Sequence, residues 1–394
     1  MPAERIPVAP GVLTWARRSA GYSDIELAAR RLSVKPDQIE KWESGDLDPT
    51  ITQLRNMAKL YRRPLAVLLL PEAPKDFDAL RDFRRTGSEG PPAWSPALHS
   101  EFKRALSQRE VLLELAELAP ATVTDPGSFS LTLATDAEAA SQEIRRLVGM
   151  DDWPSSVLRD QRKALRAAVE AVERLGVLVL QTRDVPISEM RGFSISEWPY
   201  PVIVLNGSDW PRPRLFTLLH ELMHLALHDG GVCDLHERRA TNRTDSDRIE
   251  HYCNQVAAAV LIPKSSLVRN LQNFSLSNLN TKDLYELSQL YPASSEVMLL
   301  RLIGLGKVTW ESYRRLKPEL DEIYADRRAE EKTRQRERDS GPSYYIVKVR
   351  NLGQGYVQSV LDAFYARAIT SFDVTDYLDI KYDQLPKLQE AVRQ

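Results

Sequence analysis

Leu215 to His228 reads LFTLLHELMHLALH, an apolar run interrupted by three histidines, one threonine and one glutamate. Leu218, Leu222 and Leu225 recur at helical spacing, so the segment is expected to form a buried helix that stops at Gly230 and Gly231. On a helix, positions i and i+4 share a face. His220 and His224 then present both imidazoles to one point, where a zinc ion is reached at about 2.0–2.1 Å. Glu221, beside the first histidine, completes the pattern H-E-x-x-H and is the expected general base, drawing a proton from the water that attacks a peptide carbonyl. Residue frequencies give an expectation on the order of 0.01 chance matches to this pattern in a chain with so few histidines.

Five of the six histidines lie between His220 and His251; the other, His99, stands alone and is expected to be structural. A catalytic zinc needs a third protein ligand and an open position for water and substrate. Glu250 is the leading candidate, on a second helix from about Ser246 to Ile262 whose apolar run QVAAAVLIP would pack it against the first. His228 continues the row His220, His224, His228. A helix climbs about 6 Å per four residues, however, so three such side chains converge on one ion with difficulty, and His228 is placed as a cap or support. Asp247 and His251 are weaker rivals, and His251, Tyr252 and Asn254 are alternative donors to the developing oxyanion. Cys233 and Cys253 are read as ordinary thiols, because a thiolate-rich site would be closed and would leave Glu221 without a role.

Ahead of the metal-binding helix, GVLVLQ (176–181), RGFSI (191–195) and PVIVLN (201–206) are strand candidates. An extended peptide added to the edge of that sheet is one expected mode of substrate binding. PVIVLN, then FTLLHELMHLALH, then the E-x-x-C-N-x-V-A-A-x-x-L-I-P segment from Glu250 together resemble the ImmA/IrrE family of zinc metallopeptidases, over roughly residues 170–270. The resemblance implies a zincin-like domain with His220, His224 and Glu250 as zinc ligands and Glu221 as base. It departs at Cys253 and Val256, where the family commonly has Ala and Phe, both packing positions. It further implies a site-specific protease acting on a repressor, or a partner in stress, mobile-element or toxin–antitoxin circuits.

From Pro10 to about Pro71, short amphipathic segments alternate with Gly21, Pro36, Gly45 and Pro49, as in a compact helical module. Ile25–Leu32, a turn at 33–35 and Pro36–Glu43 fit a helix-turn-helix with Leu27, Ala28, Leu32, Val34, Ile39 and Trp42 as its core. The stretch from Val34 to Tyr61, with Glu43, Gly45 and Pro49, is similar to the XRE/Cro-type DNA-binding domain. Lys35, Gln38 and Lys41 are the candidates to touch DNA or a docking partner. Residues 1–72 carry eleven Lys and Arg against nine Asp and Glu, a thin excess for gripping phosphates, so DNA binding and protein docking both remain open.

With 43% hydrophobic and 27% charged residues, a chain of 394 is expected to hold several domains with substantial cores. Basic and acidic residues nearly cancel, 53 against 55, which excludes a global attraction to nucleic acid or anionic membrane. Two cysteines, no signal-like apolar start and no run of roughly 20 apolar residues point to a cytoplasmic protein without membrane association. The expected class is α+β, mainly α. The expected organisation is a helix-turn-helix domain (1–72), a linker and helical connection (73–134), the zincin-like domain (135–275), a helical extension with the charged stretch DRRAEEKTRQRERD (276–339), and a C-terminal helical segment (340–394). Two rival functions stand beside the protease. One is a DNA-binding regulator or antitoxin that uses the zincin fold as a scaffold. The other is a sensor working through metal or through Cys233 and Cys253.

Overall fold

The computed structural model describes residues 5–74, 94–118, 130–227, 245–274, 276–337, 341 and 343–393, and it divides into two compact units, Met1–Arg104 and Ala105–Gln394. The first is helical: α1 (Pro10–Ser19), α2 (Ile25–Leu32), α3 (Pro36–Ser44), α4 (Ile51–Leu60) and α5 (Leu65–Leu68), closed by the first half of α6 (Pro96–Leu118). Asp24 caps α2, and Thr50 with Gln53 forms a capping box on α4, so helix starts are encoded locally. Ala28, Ile39 and Trp42 are fully buried as expected, with Leu27, Leu32 and Val34 packed around them. Arg17, only 2% exposed, forms a fork with Glu43 at 2.7 and 2.9 Å and also donates to the carbonyls of Tyr22 and Ser23, tying α1 to α3. His99 packs on Trp94, and burial beside Lys103 holds its pKa down at about 4, in keeping with a structural role.

The second unit contains α7 (Ala137–Leu147), α8 (Ser155–Arg159), α9 (Gln161–Arg174), β1 (Leu178–Thr182), β2 (Gly192–Ile195), β3 (Val202–Asn206), α10 (Pro211–Ala226), α11 (Asp245–Leu261), α12 (Lys264–Asn270), α13 (Thr281–Ser288), α14 (Ser295–Gly304) and α15 (Trp310–Glu337). It ends in α16 (Tyr344–Leu352), α17 (Gln354–Tyr365), α18 (Ser371–Leu378) and α19 (Leu385–Val392). The sheet order is β1-β3-β2. β1 runs parallel to β3 (Leu178 opposite Val202) and β2 antiparallel to it (Gly192 opposite Leu205). Every strand residue is buried, which is why these segments are mostly apolar on both faces, rather than alternating, with polar residues such as Gln181 and Asn206 towards the strand ends. At the end of β3, Asn206 donates to the carbonyls of Val185 and Met190, both at 2.8 Å, and so pins the β1–β2 connection.

Pro211 sits at the first position of α10, preceded by extended Trp210, a favourable helix start. The helix is apolar on nearly all sides because it packs on β2 and β3, on α9 and on α11. α11 is held in turn by α7 and α14. Arg145 donates to Val260 O (2.6 Å) and Arg301 to Ile262 O (3.1 Å), satisfying carbonyls at the C-terminal end of α11, and Arg301 also pairs with Glu138. The segment after residue 340 is helical as expected, yet it is no loose appendage: α16 and α17 pack on β1. Gly353, between them, adopts φ +87°, and a Cβ there would lie 2.8 Å from Val179 O, so a larger residue cannot make this approach. Among the described residues, no helix is long and apolar enough to cross a membrane.

Candidate metal centre

α10 and α11 bring three donors together. The Nε2 atoms of His220 and His224 are 3.1 Å apart, and Glu250 places Oε2 3.3 Å from the first and Oε1 3.6 Å from the second. Atoms bound at about 2.0–2.1 Å around a tetrahedral ion are separated by about 3.3 Å, close to the spacing of these side chains, so the three can share one cation of that size. The donor chemistry fits as well, since two imidazole nitrogens and one carboxylate are a three-ligand set that suits a divalent zinc-type ion and leaves a position open. Among the described residues this is the one His/Cys/Asp/Glu group that can hold a metal ion. The histidines are buried and Glu250 is partly open to solvent, with its side chain 30% exposed. Phe216, one turn before His220, stacks on its ring at 6.2 Å.

Glu221 is fully buried beside His220. Gly192 of β2 lets the strand pass close to α10 here: a Cβ would stand 2.5 Å from Thr217 Cγ2, one turn before Glu221, and in ordinary contact with Glu221 Cγ at 3.5 Å. A glycine inside a strand signals such a close approach, but RGFSI alone did not reveal what approaches it. β2 is an edge strand lying against α10, although its four residues are all buried, so this edge is covered rather than open to an added peptide.

The rivals for the third donor fall elsewhere. Asp247 lies outside the cluster, and His251 is exposed with Nε2 2.9 Å from Gln255 Nε2. Tyr252 is buried, with Thr135 and Asp136 as neighbours, while Asn254 is half-buried one turn beyond Glu250. Cys253 is buried in the core and forms no disulfide among the described residues; His228 and Cys233 lie outside the described residues. In the first unit, Lys35 and Lys41 are exposed and Gln38 is half-buried on α3, and Lys41 pairs with Asp37 at 2.9 Å.

Residues 172–302 match the family model of the IrrE N-terminal-like domain, Peptidase_M78. The matched span runs from the end of α9 through the sheet and both donor-bearing helices to α14, so this IrrE-like domain contains the whole three-donor cluster. Among curated proteins, the radiation response metalloprotease IrrE of Deinococcus radiodurans is 35% identical over 75 residues. That alignment covers 18% of this chain and 23% of the relative, so the chain spans less than a quarter of the length of the curated relative it matches.

Proposed function

We propose that the IrrE-like domain is a zinc-dependent endopeptidase that cleaves a protein substrate, a transcriptional repressor or similar regulator. The convergence of His220 Nε2, His224 Nε2 and the Glu250 carboxylate on one point supports this reading, with a second carboxylate, Glu221, next to the first donor on the same helix. In this assignment His220, His224 and Glu250 hold the ion. Bound there, zinc supplies Lewis acidity towards water and towards the scissile carbonyl. Glu221 takes the proton of the attacking water and returns it to the leaving amine. Its burial between α10 and β2 keeps bulk water from competing for that proton.

The helix-turn-helix module of the first unit is proposed to recruit the substrate. Asp37 and Glu40 add negative charge to the exposed side of α3, and the Lys41–Asp37 pair neutralises one of its cations, which supports protein docking over a phosphate grip. A DNA-binding role predicts instead that Lys41→Ala lowers DNA affinity and its dependence on salt.

The deciding experiment measures zinc by elemental mass spectrometry in the purified chain, in His220→Ala and in Glu250→Ala. About one zinc per chain, lost in both variants, is expected. Retention in Glu250→Ala moves the ligand role to His228, His251 or Asp247, and absence from the wild type after zinc is added back leaves a helix-turn-helix regulator with a scaffold domain.

A further inference from the structure

We propose that Arg183, Arg214 and Arg350 form a receptor for a phosphate-class oxyanion, distinct from the candidate metal centre. Arg183 follows β1, and its Nε donates to Gly207 O just past β3 at 3.2 Å. Arg214 lies in the first turn of α10, with Nη1 donating to Gln181 Oε1 near the end of β1 at 2.8 Å. Arg350 comes from α16, the helix that packs on β1. Arg183 and Arg214 thereby lie where the parallel pair β1 and β3 ends and α10 begins, beside the positive end of that helix's dipole, and Arg350, on a helix packed on β1, is close enough to act electrostatically on Arg214 and to feel Arg183.

Their charges are not answered within the described residues. Asp209 is the carboxylate that acts on Arg214, and it is already engaged by Arg191 at 3.3 Å, by the Tyr324 hydroxyl at 2.6 Å and by the Trp210 N–H at 2.8 Å. Burial, then Arg350 and Arg183, pull the Arg214 pKa down to about 10, and Arg350 is lowered by burial and by Arg183. Donors are also left over: Arg214 Nε, Arg350 Nε and Arg350 Nη2 are buried and have no hydrogen-bond partner among the described residues, although Arg214 is only 8% exposed. Buried guanidinium groups are normally paired, because leaving charge and donors unmet is costly. An oxyanion with several lone pairs meets both needs, and the planar fork of arginine suits phosphate oxygens. Arg183 is exposed and gives such a ligand a way in.

The ligand is inorganic phosphate or the phosphoryl group of a small metabolite. Bound there, it joins α16 of the C-terminal helices to the helix that carries His220 and His224, whose first histidine lies six residues or about 9 Å along the axis from Arg214. This inference does not rest on the peptidase reading and survives if no zinc is found.

The test is calorimetric titration of the full-length protein with inorganic phosphate and, separately, with glycerol 3-phosphate, at fixed ionic strength. Millimolar or tighter binding of at least one is expected, and a stronger response to the ester identifies a phosphorylated metabolite as the source. Ligand at about 100 times its Kd is expected to raise the apparent melting temperature by about 5 °C. Arg350→Gln and Arg183→Gln are each expected to weaken binding at least tenfold. Arg183 is exposed, so its variant remains informative if Arg350→Gln fails to fold. Phosphate held at the metal centre is indifferent to both substitutions; unchanged affinity in both, or no binding of either anion by the wild type, overturns the proposal.

Discussion

Glu173 on α9 gives the most quantitative test of how the C-terminal helices are attached. Its carboxylate accepts the Gly355 N–H of α17 at 3.2 Å. Burial pushes the carboxyl up from 4.5 to about 7, outweighing the pull of the Gly355 bond, and nearby Glu170 adds to the rise. That difference corresponds to about 3 kcal/mol. Below about pH 4.5 the folded and unfolded chains are both protonated at this group, and it costs nothing. Between about 4.5 and 7 the folded chain keeps a proton that the unfolded chain has released, so stability falls as pH rises and the full cost is present above 7. Glu173→Gln stays neutral and keeps a carbonyl oxygen for Gly355. The variant is expected to exceed the wild type in stability at pH 8 by up to about 3 kcal/mol, with the advantage shrinking to below about 1 kcal/mol at pH 5. Urea unfolding of both proteins at the two pH values, followed by circular dichroism, measures it. An advantage that does not change with pH, or a variant less stable than the wild type at pH 8, refutes the assignment.

Glu221→Gln is expected to keep a full complement of metal while peptide cleavage falls by about 10²–10⁴-fold; elemental analysis beside a cleavage assay checks both, and a fully active variant removes Glu221 from the role of base. Gly192→Ala forces a methyl against Thr217 and is expected to cost about 1–3 kcal/mol, with activity lost beyond what the drop in melting temperature explains because Glu221 shifts with α10. Arg17→Ala leaves the half-buried Glu43 without its fork and is expected to destabilise the first unit by about 2–4 kcal/mol, seen in denaturation of the full chain, whereas a neutral effect would show that the pair contributes nothing net.

What the sequence determined by itself is local. The convergence of His220 and His224 was legible because helical geometry alone places positions four apart on one face, and the apolar run around them shows that the helix is buried. The boundaries of α2, α3 and α4 were legible for the same reason, since Asp24, Pro36, Gly45 and Thr50 act on their own neighbours. The three strands stood out as continuous apolar segments, yet nothing in them states that β3 lies between β1 and β2. Tertiary packing decided what remained. Asp247, Glu250 and His251 share one helix, and which of them meets the histidines depends on how α11 is rotated against α10, set by distant contacts that include Arg145 and Arg301 at its far end. Residues 183, 214 and 350 carry no mutual signal in the chain. They come within electrostatic reach of one another because α16 and α17 settle on β1, and such non-local proximity is chosen by the packing of whole surfaces rather than by any residue's own conformational preference.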